Sequence, residues 1–295
     1  MDAIINLLKP PGMTSFDVVK FLRGVLRVDK IGHAGTLDPG AAGVLPVFAG
    51  KATKAIEYMM DKDKLYRAEL TLGIETDTQD SYGEVIKTDY VGATPEQIES
   101  TIKGFKGKQK QVPPMYSAIK INGKRLYELA REGVTVERIP REIEIYDLNI
   151  VKIGPDNKVI FDVACSKGTY IRTLCADIGR SLGCGGHMSF LVRLKVGNFS
   201  ISDALTLEEV AEAASTGRLG EYVSKIDELF KDIEKITIGE VEEKRLLNGC
   251  YVKLDECKSG HNALLRVYNG NGRFLALGRT VKAEGSILLK SHKLF

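Results

Sequence analysis

The sequence predicts an α+β protein with a mixed, largely antiparallel central sheet, flanking helices and loops, and a small β-rich module at its carboxyl end. Apolar residues at every second position indicate strands, and apolar spacing of three and four residues behind capping sequences indicates helices. The two kinds of element are interspersed, without the strict strand–helix–strand order of a parallel sheet. After about residue 235 short strands alternate with glycine turns, so we predict a domain boundary near residue 234.

Capping sequences and apolar stripes predict the helices. Ser15 is placed to cap the first helix, and Thr94 and Thr206 each begin a capping box. Gly183 follows the apolar stripe of a fourth helix and closes it. The predicted helices cover residues 15–27, 94–104, 170–182 and 206–217.

Two-residue alternation predicts the strands. Residues 66–72 and 159–165 each place their apolar side chains on one face. In the carboxyl-terminal part, residues 263–267 and 273–277 alternate on either side of an Asn-Gly turn, which is typical of a β-hairpin.

Composition and charge limit the kinds of protein that this sequence can encode. The 295 residues are 43% hydrophobic, enough for a sizeable core, and the net charge of +3 says little about partners. No apolar run approaches the roughly 18–20 residues that span a bilayer, and the first residues lack the features of a secretory signal, which predicts a cytoplasmic protein with no membrane contact.

An odd number of cysteines does not indicate a disulfide framework, and we predict no metal site. The cysteines are Cys165, Cys175, Cys184, Cys250 and Cys257.

Residues 30–54 are the segment that can carry chemistry. Five glycines and two prolines are expected to break any regular element, giving a long tight loop with a single carboxylate, Asp38. Pro39 biases Asp38 toward an extended backbone conformation. Asp-Pro-Gly is also a common turn sequence, so the tripeptide alone leaves open a purely structural role. His33 could act as a general base, although a histidine in such a place is more often hydrogen-bonded in a loop or core.

Residues 32–39 and 43–46, Gly-His-Ala-Gly-Thr-Leu-Asp-Pro and Gly-Val-Leu-Pro, resemble the catalytic motif of the TruB family of pseudouridine synthases. Other blocks resemble the family in the same order, so that the resemblance covers residues 4 to about 205. The blocks are residues 9–15, 64–66, 111–118, 166–172 and 186–194.

The resemblance implies the fold and the reaction. It implies a pseudouridine synthase catalytic domain in residues 1–234 and, more weakly, a PUA-like RNA-binding domain in residues 235–295. Uridine at position 55 in the T loop of tRNA would be flipped out and isomerised to pseudouridine without cofactor or metal. The C1′–N1 bond breaks, the base turns, and the ring rejoins the sugar through C5.

The resemblance also assigns roles to residues. Asp38 is the catalytic nucleophile, Arg172 its ion-pair partner, and Tyr66 the ring that stacks on the flipped base and takes part in the late proton transfer. Without the resemblance, Arg172 would read as an exposed helix arginine. The implied substrate contacts further include Lys9, His33, Tyr170 and Leu191. For Tyr170 and Leu191, ordinary core packing is the competing interpretation.

Seven basic residues and no acidic one lie between Lys103 and Arg125. Interleaved with aromatic residues and prolines, this run predicts phosphate contacts, chiefly by Lys106, Lys108 and Lys110, although such runs are usually solvated surface. Residues 123–140 resemble the insert that grips the T loop in stand-alone members of the family. The insertion as a whole is predicted over about residues 103–140, and the resemblance implies that the chain recognises the T arm of tRNA without a guide RNA. We also expect a monomer.

Two other functions compete with this one. A non-catalytic tRNA-binding or tRNA-folding chaperone of the same fold would not need the intact set of Asp38, Tyr66 and Arg172. A nucleoside hydrolase would need a cation site or a second acid, and the sequence suggests neither.

Overall fold

The computed structural model describes residues 1–121, 123–254, 260–283 and 286–295. It confirms the predicted α+β class. The strands are β1 (Ala3–Lys9), β2 (Ile31–His33), β3 (Ala42–Ala49), β4 (Lys64–Leu72), β5 (Ile74–Thr76), β6 (Val85–Thr88), β7 (Gly107–Gln111), β8 (Lys120–Ile121), β9 (Lys124–Arg125), β10 (Arg141–Ile153), β11 (Lys158–Cys165), β12 (Gly186–Val196), β13 (Phe199–Ser200), β14 (Lys235–Ile238), β15 (Val252–Leu254), β16 (Leu264–Asn269), β17 (Phe274–Ala283) and β18 (Ser286–Leu294). The helices are α1 (Ser15–Leu26), α2 (Ile56–Met60), α3 (Pro95–Gly104), α4 (Leu126–Arg131), α5 (Ile171–Ser181), α6 (Leu207–Ser215) and α7 (Glu240–Leu247). Short 3-10 helices are formed by Gly50–Ala55, Ile201–Asp203, Leu219–Glu221 and Ile226–Phe230.

A nine-stranded sheet forms the body of the molecule. Seven strands follow the order β1-β3-β12-β4-β11-β10-β7, with β2 beside β3 and β13 beside β12. Within it, the contact between β12 and β3 is parallel and only two residue pairs long, whereas the other pairings are antiparallel. The sheet is therefore mixed and largely antiparallel, as predicted.

The predicted caps of α3 and α6 are confirmed, since Thr94 and Thr206 both form complete capping boxes. The predicted cap of α1 is wrong by one residue. Thr14 caps that helix, its hydroxyl accepting from the Asp17 N–H at 3.0 Å. Ser15 is buried instead, because its hydroxyl bonds to the loop that carries Asp38.

The expectation that residues 30–54 form one long loop is also wrong. Strands β2 and β3 and the helix Gly50–Ala55 occupy most of the segment, and only residues 34–41 are irregular. Almost all of β3 is buried between neighbouring strands, and this burial outweighs the local preferences of Gly43 and Pro46. Gly43 has φ +114°, and a Cβ there would lie 2.6 Å from the backbone nitrogen of Arg193, so this glycine allows β12 to approach β3.

Helices pack on the sheet through two separate hydrophobic clusters. α3 and α5 cover β4, β10 and β11, and α5 buries the stripe that the sequence predicts. α1 and α6 cover β1 and β3 in the second cluster. Cys165, Cys175 and Cys184 are buried thiols and Cys250 is an exposed one, whereas Cys257 lies outside the described residues.

A second sheet of five strands, in the order β14-β16-β17-β18-β15, follows from Lys235 onward. Its β16–β17 pair confirms the predicted hairpin. This sheet has a core of its own and also shares a hydrophobic cluster with the large sheet, so the boundary near residue 234 stays a prediction. In the described part of the chain, no helix is both long and apolar enough to cross a bilayer.

Candidate active site

Asp38 lies in the short irregular segment of residues 34–41 between β2 and β3, which we call the Asp38 loop. The Ser15 hydroxyl holds this loop, because it accepts a hydrogen bond from the Leu37 N–H at 3.0 Å and donates one to the Leu37 carbonyl at 3.1 Å. The Ala41 N–H closes the turn by donating to the Asp38 carbonyl at 3.0 Å. The carboxylate of Asp38 is therefore carried by backbone that is fixed on both sides.

Lys9 is fully buried beside the same loop. Its Nζ donates to the carbonyls of Pro10 (2.8 Å), Met13 (2.6 Å) and Pro39 (3.2 Å). Burial lowers the pKa of the Lys9 ammonium to about 8, and the charge of Asp38 opposes this shift. An ammonium has three N–H donors, and all of them are used here. The predicted substrate contact of Lys9 does not fit this geometry, because the side chain instead ties the end of β1 to Pro39.

Arg172, in the first turn of α5, forms the ion pair that the sequence predicts. Its Nε lies 3.0 Å from Asp38 Oδ2, and its side chain is 7% exposed whereas that of Asp38 is 43% exposed. The guanidinium also donates to the carbonyls of Tyr116 (2.8 Å) and Thr78 (3.3 Å), and it lies 3.7 Å from Asp80 Oδ2. Arg172 is therefore a buried, fully engaged cation rather than an exposed helix arginine.

Asp80 is a site residue that the sequence analysis missed. It belongs to residues 77–83, the turn between β5 and β6, which we call the Asp80 turn. Its carboxylate accepts from the Thr78 hydroxyl at 2.6 Å and from the Tyr82 N–H at 3.0 Å. In the sequence, Asp80 lies in a polar stretch rich in Asp and Thr between two strand-like segments. Such a stretch normally indicates only a turn, so it does not mark a site residue.

Arg193 on β12 is the second residue that was missed. It is 1% exposed, and its Nε and Nη2 donate to the carbonyls of Val44 and Gly35, both at 2.8 Å. Within the described ranges, no carboxylate lies at ion-pair distance from it. A charged residue at a core-facing strand position, in phase with Leu191, was the available signal. Arg193 thus supports the Asp38 loop from the sheet and places a positive charge behind it.

Tyr66 on β4 is the register partner of Arg193. Burial raises the pKa of the Tyr66 phenol, and a hydrogen bond and the charge of Arg193 act in the opposite direction. Asp38 is close enough to the phenol to raise its pKa slightly further. The structure therefore brings Asp38, Arg172 and Tyr66 into one cluster, with the phenol protonated at neutral pH.

His33 closes the other side of this cluster. Burial, and secondarily the charge of Arg193, lower the pKa of the imidazole, so it is neutral at neutral pH. Its Nδ1 is buried, and the described protein atoms offer it no hydrogen-bond partner. A buried polar atom without a partner is uncommon in folded proteins, and this one lies in the segment next to the Asp38 loop.

Tyr170 and Leu191 differ in character. Tyr170 precedes α5, and the Gln111 side chain binds its backbone on both sides, accepting from its N–H at 2.8 Å and donating to its carbonyl at 3.0 Å. The tyrosine ring is half-buried. Leu191 is buried in the same cluster as Leu37, so core packing accounts for this residue at least in part.

Lys106, Lys108 and Lys110 are not part of the cluster. Lys108 and Lys110 lie in β7, the edge strand of the large sheet, and Lys106 directly precedes it; all three side chains are exposed. The register places Lys108 opposite Glu144 and Lys110 opposite Glu142. Lys106 forms an ion pair with Asp147 at 2.9 Å. Acidic residues of β10 thus balance the basic run that looks unopposed in the sequence.

The cluster suits chemistry by a single carboxylate. One aspartate is half-exposed and paired with a buried cation, the phenol of Tyr66 lies near it, and a neutral imidazole lies near Arg193. The carboxylate of Asp80, which lies 3.7 Å from Arg172 Nη1, is 14% exposed and is bound by the Thr78 hydroxyl and the Tyr82 N–H, so it is less open to a ligand than Asp38. Over residues 1–121, 123–254, 260–283 and 286–295, no three His, Cys, Asp or Glu side chains are grouped as a metal ion would require.

Comparison with known proteins agrees with the sequence motifs. The family described as "TruB family pseudouridylate synthase (N terminal domain)" matches residues 23–171, and the "tRNA pseudouridylate synthase B C-terminal domain" matches residues 172–237. The "tRNA pseudouridine synthase B" of Alkaliphilus oremlandii is 51% identical over 249 residues, covering 84% of this chain and 82% of that protein. The protein of the same name from Clostridium kluyveri is 46% identical over 94% of this chain and 95% of its own length.

Solved structures extend the likeness to the whole fold. One chain of a "Cbf5-Nop10-Gar1 Complex" matches with a TM-score of 0.74 and 26% identity, covering 99% of this chain and 84% of that one. A chain of an "H/ACA RNP bound to a substrate RNA containing 2'-deoxyuridine" has a TM-score of 0.73 at 24% identity, covering 99% and 84%, and shows the fold alone. Motifs, fold and the extent of the sequence matches agree, and the chain belongs to the TruB family of pseudouridylate synthases.

Proposed function

We propose that this enzyme converts uridine 55 in the T loop of tRNA to pseudouridine, acting as a cytoplasmic monomer without guide RNA or cofactor. The names of the relatives, each a tRNA pseudouridine synthase B, support tRNA as the substrate. The observation that carries the proposal is the ion pair of Asp38 with Arg172. It pairs one carboxylate with a buried cation at 3.0 Å while leaving 43% of the Asp38 side chain exposed to a substrate.

The role proposed for Asp38 follows from charge and access. A carboxylate facing an extruded base loses water, which disfavours its ionised form. The buried Arg172 offsets this loss, because it remains beside Asp38 whether or not substrate is bound. Asp38 therefore acts as the anion at the sugar–base junction of the flipped uridine, where the C1′–N1 bond breaks.

Tyr66 is proposed to stack on the uracil and to take part in the last step. After C5 bonds to C1′, the hydrogen on C5 must leave as a proton, and N1 must gain one, so the reaction is balanced without an electron donor. Because the phenol of Tyr66 is protonated, it can accept the C5 proton only while it gives up its own hydroxyl proton. Arg193 favours the anionic phenol oxygen during this exchange.

Recognition of the T arm is proposed for the insertion of residues 103–140. It contains β7, the short β8–β9 hairpin and α4. The ring of Tyr127 lies between the guanidinium groups of Arg125 (5.7 Å) and Arg131 (5.6 Å), so two cations and a ring are held together at its tip. The five-stranded sheet of residues 235–295 is proposed as a PUA-like domain that adds RNA contacts.

The direct test is a reaction with two components. Purified protein is incubated with transcribed tRNA and nothing else, and pseudouridine is mapped along the RNA; we expect it at position 55. Asp38→Asn should form no product while keeping tRNA affinity within about tenfold, since the amide keeps the shape and removes only the charge. Asp162→Asn, which breaks an exposed ion pair with Arg67 on the sheet, is the matched control and should turn over normally.

Each outcome of this test is decisive. Absence of pseudouridine with the unaltered protein, despite tight tRNA binding, would favour the non-catalytic chaperone. Turnover retained in Asp38→Asn would show that another group performs the chemistry.

A further inference from the structure

Tyr82 is an exposed aromatic residue that contacts the loop carrying the catalytic carboxylate. Its side chain is 75% exposed, yet one edge of the ring lies against Gly40, two residues after Asp38. A Cβ added to Gly40 would stand 2.6 Å from Tyr82 Cζ and 2.7 Å from the phenol oxygen. The absence of a side chain at position 40 is therefore what lets this ring lie at the rim of the site.

The Asp80 turn fixes the backbone beneath this ring. The Tyr82 N–H donates to Asp80 Oδ1 at 3.0 Å, and the neighbouring Ser81 hydroxyl donates to the Ser189 carbonyl at 3.0 Å. Asp80 also faces Arg172 at 3.7 Å. The network that surrounds the catalytic ion pair thus also sets the position of the Tyr82 backbone.

The stability of the fold does not explain an aromatic residue in this place. Single exposed aromatic side chains are common on protein surfaces, and little area is removed from water when three quarters of the side chain is exposed. What distinguishes Tyr82 is the combination of an open ring, a hydrogen-bonded backbone and contact with the Asp38 loop. Tyr90, which is 90% exposed, lies on the same hairpin and lacks this contact with the Asp38 loop.

We propose that Tyr82 forms a stacking subsite for an unpaired nucleobase that neighbours the target uridine. This inference rests on the proposed function, because it needs an RNA substrate whose uridine is extruded at Asp38. Extrusion removes a stacking partner from the neighbouring base, and an aromatic ring at the rim can replace it. Stacking of this kind accepts any base, so Tyr82 contributes affinity and position rather than sequence preference.

Steady-state kinetics test the subsite. Tyr82→Ala should raise KM for tRNA about tenfold, corresponding to about 1.4 kcal/mol, and leave kcat within about twofold. Tyr82→Phe keeps the ring and should behave as the unaltered enzyme does. Tyr90→Ala is the matched control, because Ile74 pairs with Thr88 and Tyr90 therefore lies at the end of the hairpin away from the turn.

A substrate series identifies the occupant. T-arm hairpins are prepared with a single abasic site at each nucleotide flanking the target uridine, and Kd is measured with the unaltered enzyme and with Tyr82→Ala. If one base stacks on Tyr82, the loss caused by Tyr82→Ala should vanish for one abasic position and persist for the others.

Three results would overturn the subsite while leaving the proposed function intact, provided that the unaltered enzyme still forms pseudouridine. They are an unchanged KM in Tyr82→Ala, a loss in Tyr82→Phe equal to that in Tyr82→Ala, and a loss that persists for every abasic substrate. The second result would assign the effect to a hydrogen bond of the hydroxyl. Lack of product with the unaltered enzyme would instead overturn the proposed function itself.

Discussion

At the scale of single residues, Ser15 shows how a small buried side chain can hold the loop of a candidate active site. Its hydroxyl satisfies both the N–H and the carbonyl of Leu37, next to Asp38. Its neighbour Thr14 performs the capping role that the sequence suggested for Ser15. Two adjacent hydroxyl residues thus have different tasks, one for the helix and one for the site.

This division of roles predicts different effects for two similar substitutions. Ser15→Ala leaves two buried backbone groups of Leu37 unsatisfied, so we expect a loss of about 1–3 kcal/mol in the free energy of unfolding. Because the loop also loses its anchor, kcat should fall. Thr14→Ala removes only the helix cap and should cost about 1 kcal/mol with kcat unchanged. Urea unfolding and single-turnover rates measure the two effects, and equal kcat values in both variants would rule out the anchoring role.

The residues of the candidate site could be predicted only in part. Asp38, Tyr66 and Arg172 lie in segments whose motifs identify them directly. Arg193 and Asp80 act through burial and long-range contact, and neither property is visible in local sequence. Lys9 shows the converse error, because a basic residue in a motif is easily read as a substrate contact when its donors in fact bind backbone carbonyls.

At the scale of elements, β7 is an edge strand whose exposed side chains are lysines. Such residues have two uses, since lysine on an edge strand discourages pairing with another molecule, and lysine on a surface can also contact phosphate. The sequence predicts the second use. The register between β7 and β10, which the sequence does not specify, places acidic residues opposite Lys108 and Lys110. The structure is therefore equally consistent with lysines that protect the edge strand.

Replacing Lys106, Lys108 and Lys110 together by Gln separates these uses. If the lysines contact phosphates, tRNA affinity should fall and the slope of log K against log salt should flatten by up to about 0.9 per lost contact. A control triple of Lys87, Lys152 and Lys158 removes the same charge from exposed lysines outside residues 103–140 and 235–295, the two regions proposed to contact RNA. If the Gln variant keeps its tRNA affinity and its salt slope, the lysines do not contact phosphates. Increased light scattering of the free variant would then show self-association and assign these lysines to protection of the edge strand.

Elements whose signals are local could be predicted well. The capping boxes of α3 and α6 and the alternation of β4 and β11 each depend on a few neighbouring residues, and all are present. β3 could not be predicted, because its existence depends on burial against β1 and β12. Neither contact is encoded near residues 42–49.

At the scale of the whole molecule, an aromatic cluster joins the two sheets. We use this name for Tyr58, Phe230, Phe274 and Phe295. Phe230 packs edge-on against Tyr58 at 5.1 Å between ring centroids, and Phe274 stacks on Phe295 at 5.3 Å. Lys54 adds a hydrogen bond to the Leu294 carbonyl at 2.8 Å. The five-stranded sheet is therefore packed onto the large sheet and does not hang from a linker.

This packing predicts that the two sheets unfold together. In the unaltered protein, urea transitions followed by circular dichroism and by tyrosine fluorescence should coincide. Phe295→Ala should lower the free energy of unfolding by about 3–5 kcal/mol and separate the two transitions. Leu246→Ala, in the small sheet's own core, is the control and should lower the urea midpoint while the two transitions still coincide. Transitions that remain coincident in Phe295→Ala would show that the cluster does not couple the sheets.

The order of strands in the large sheet has a consequence for how the enzyme acquires activity during folding. Asp38 and Tyr66 are close to each other in sequence, whereas Arg172 and Arg193 come from more than a hundred residues later, and β12 must insert between β3 and β4. Contacts of such high sequence separation form slowly, since a long loop must close before they add any stability. A nascent chain can therefore hold Asp38 and Tyr66 for some time before Arg172 and Arg193 reach and support them, and the complete cluster forms only in the final steps of folding.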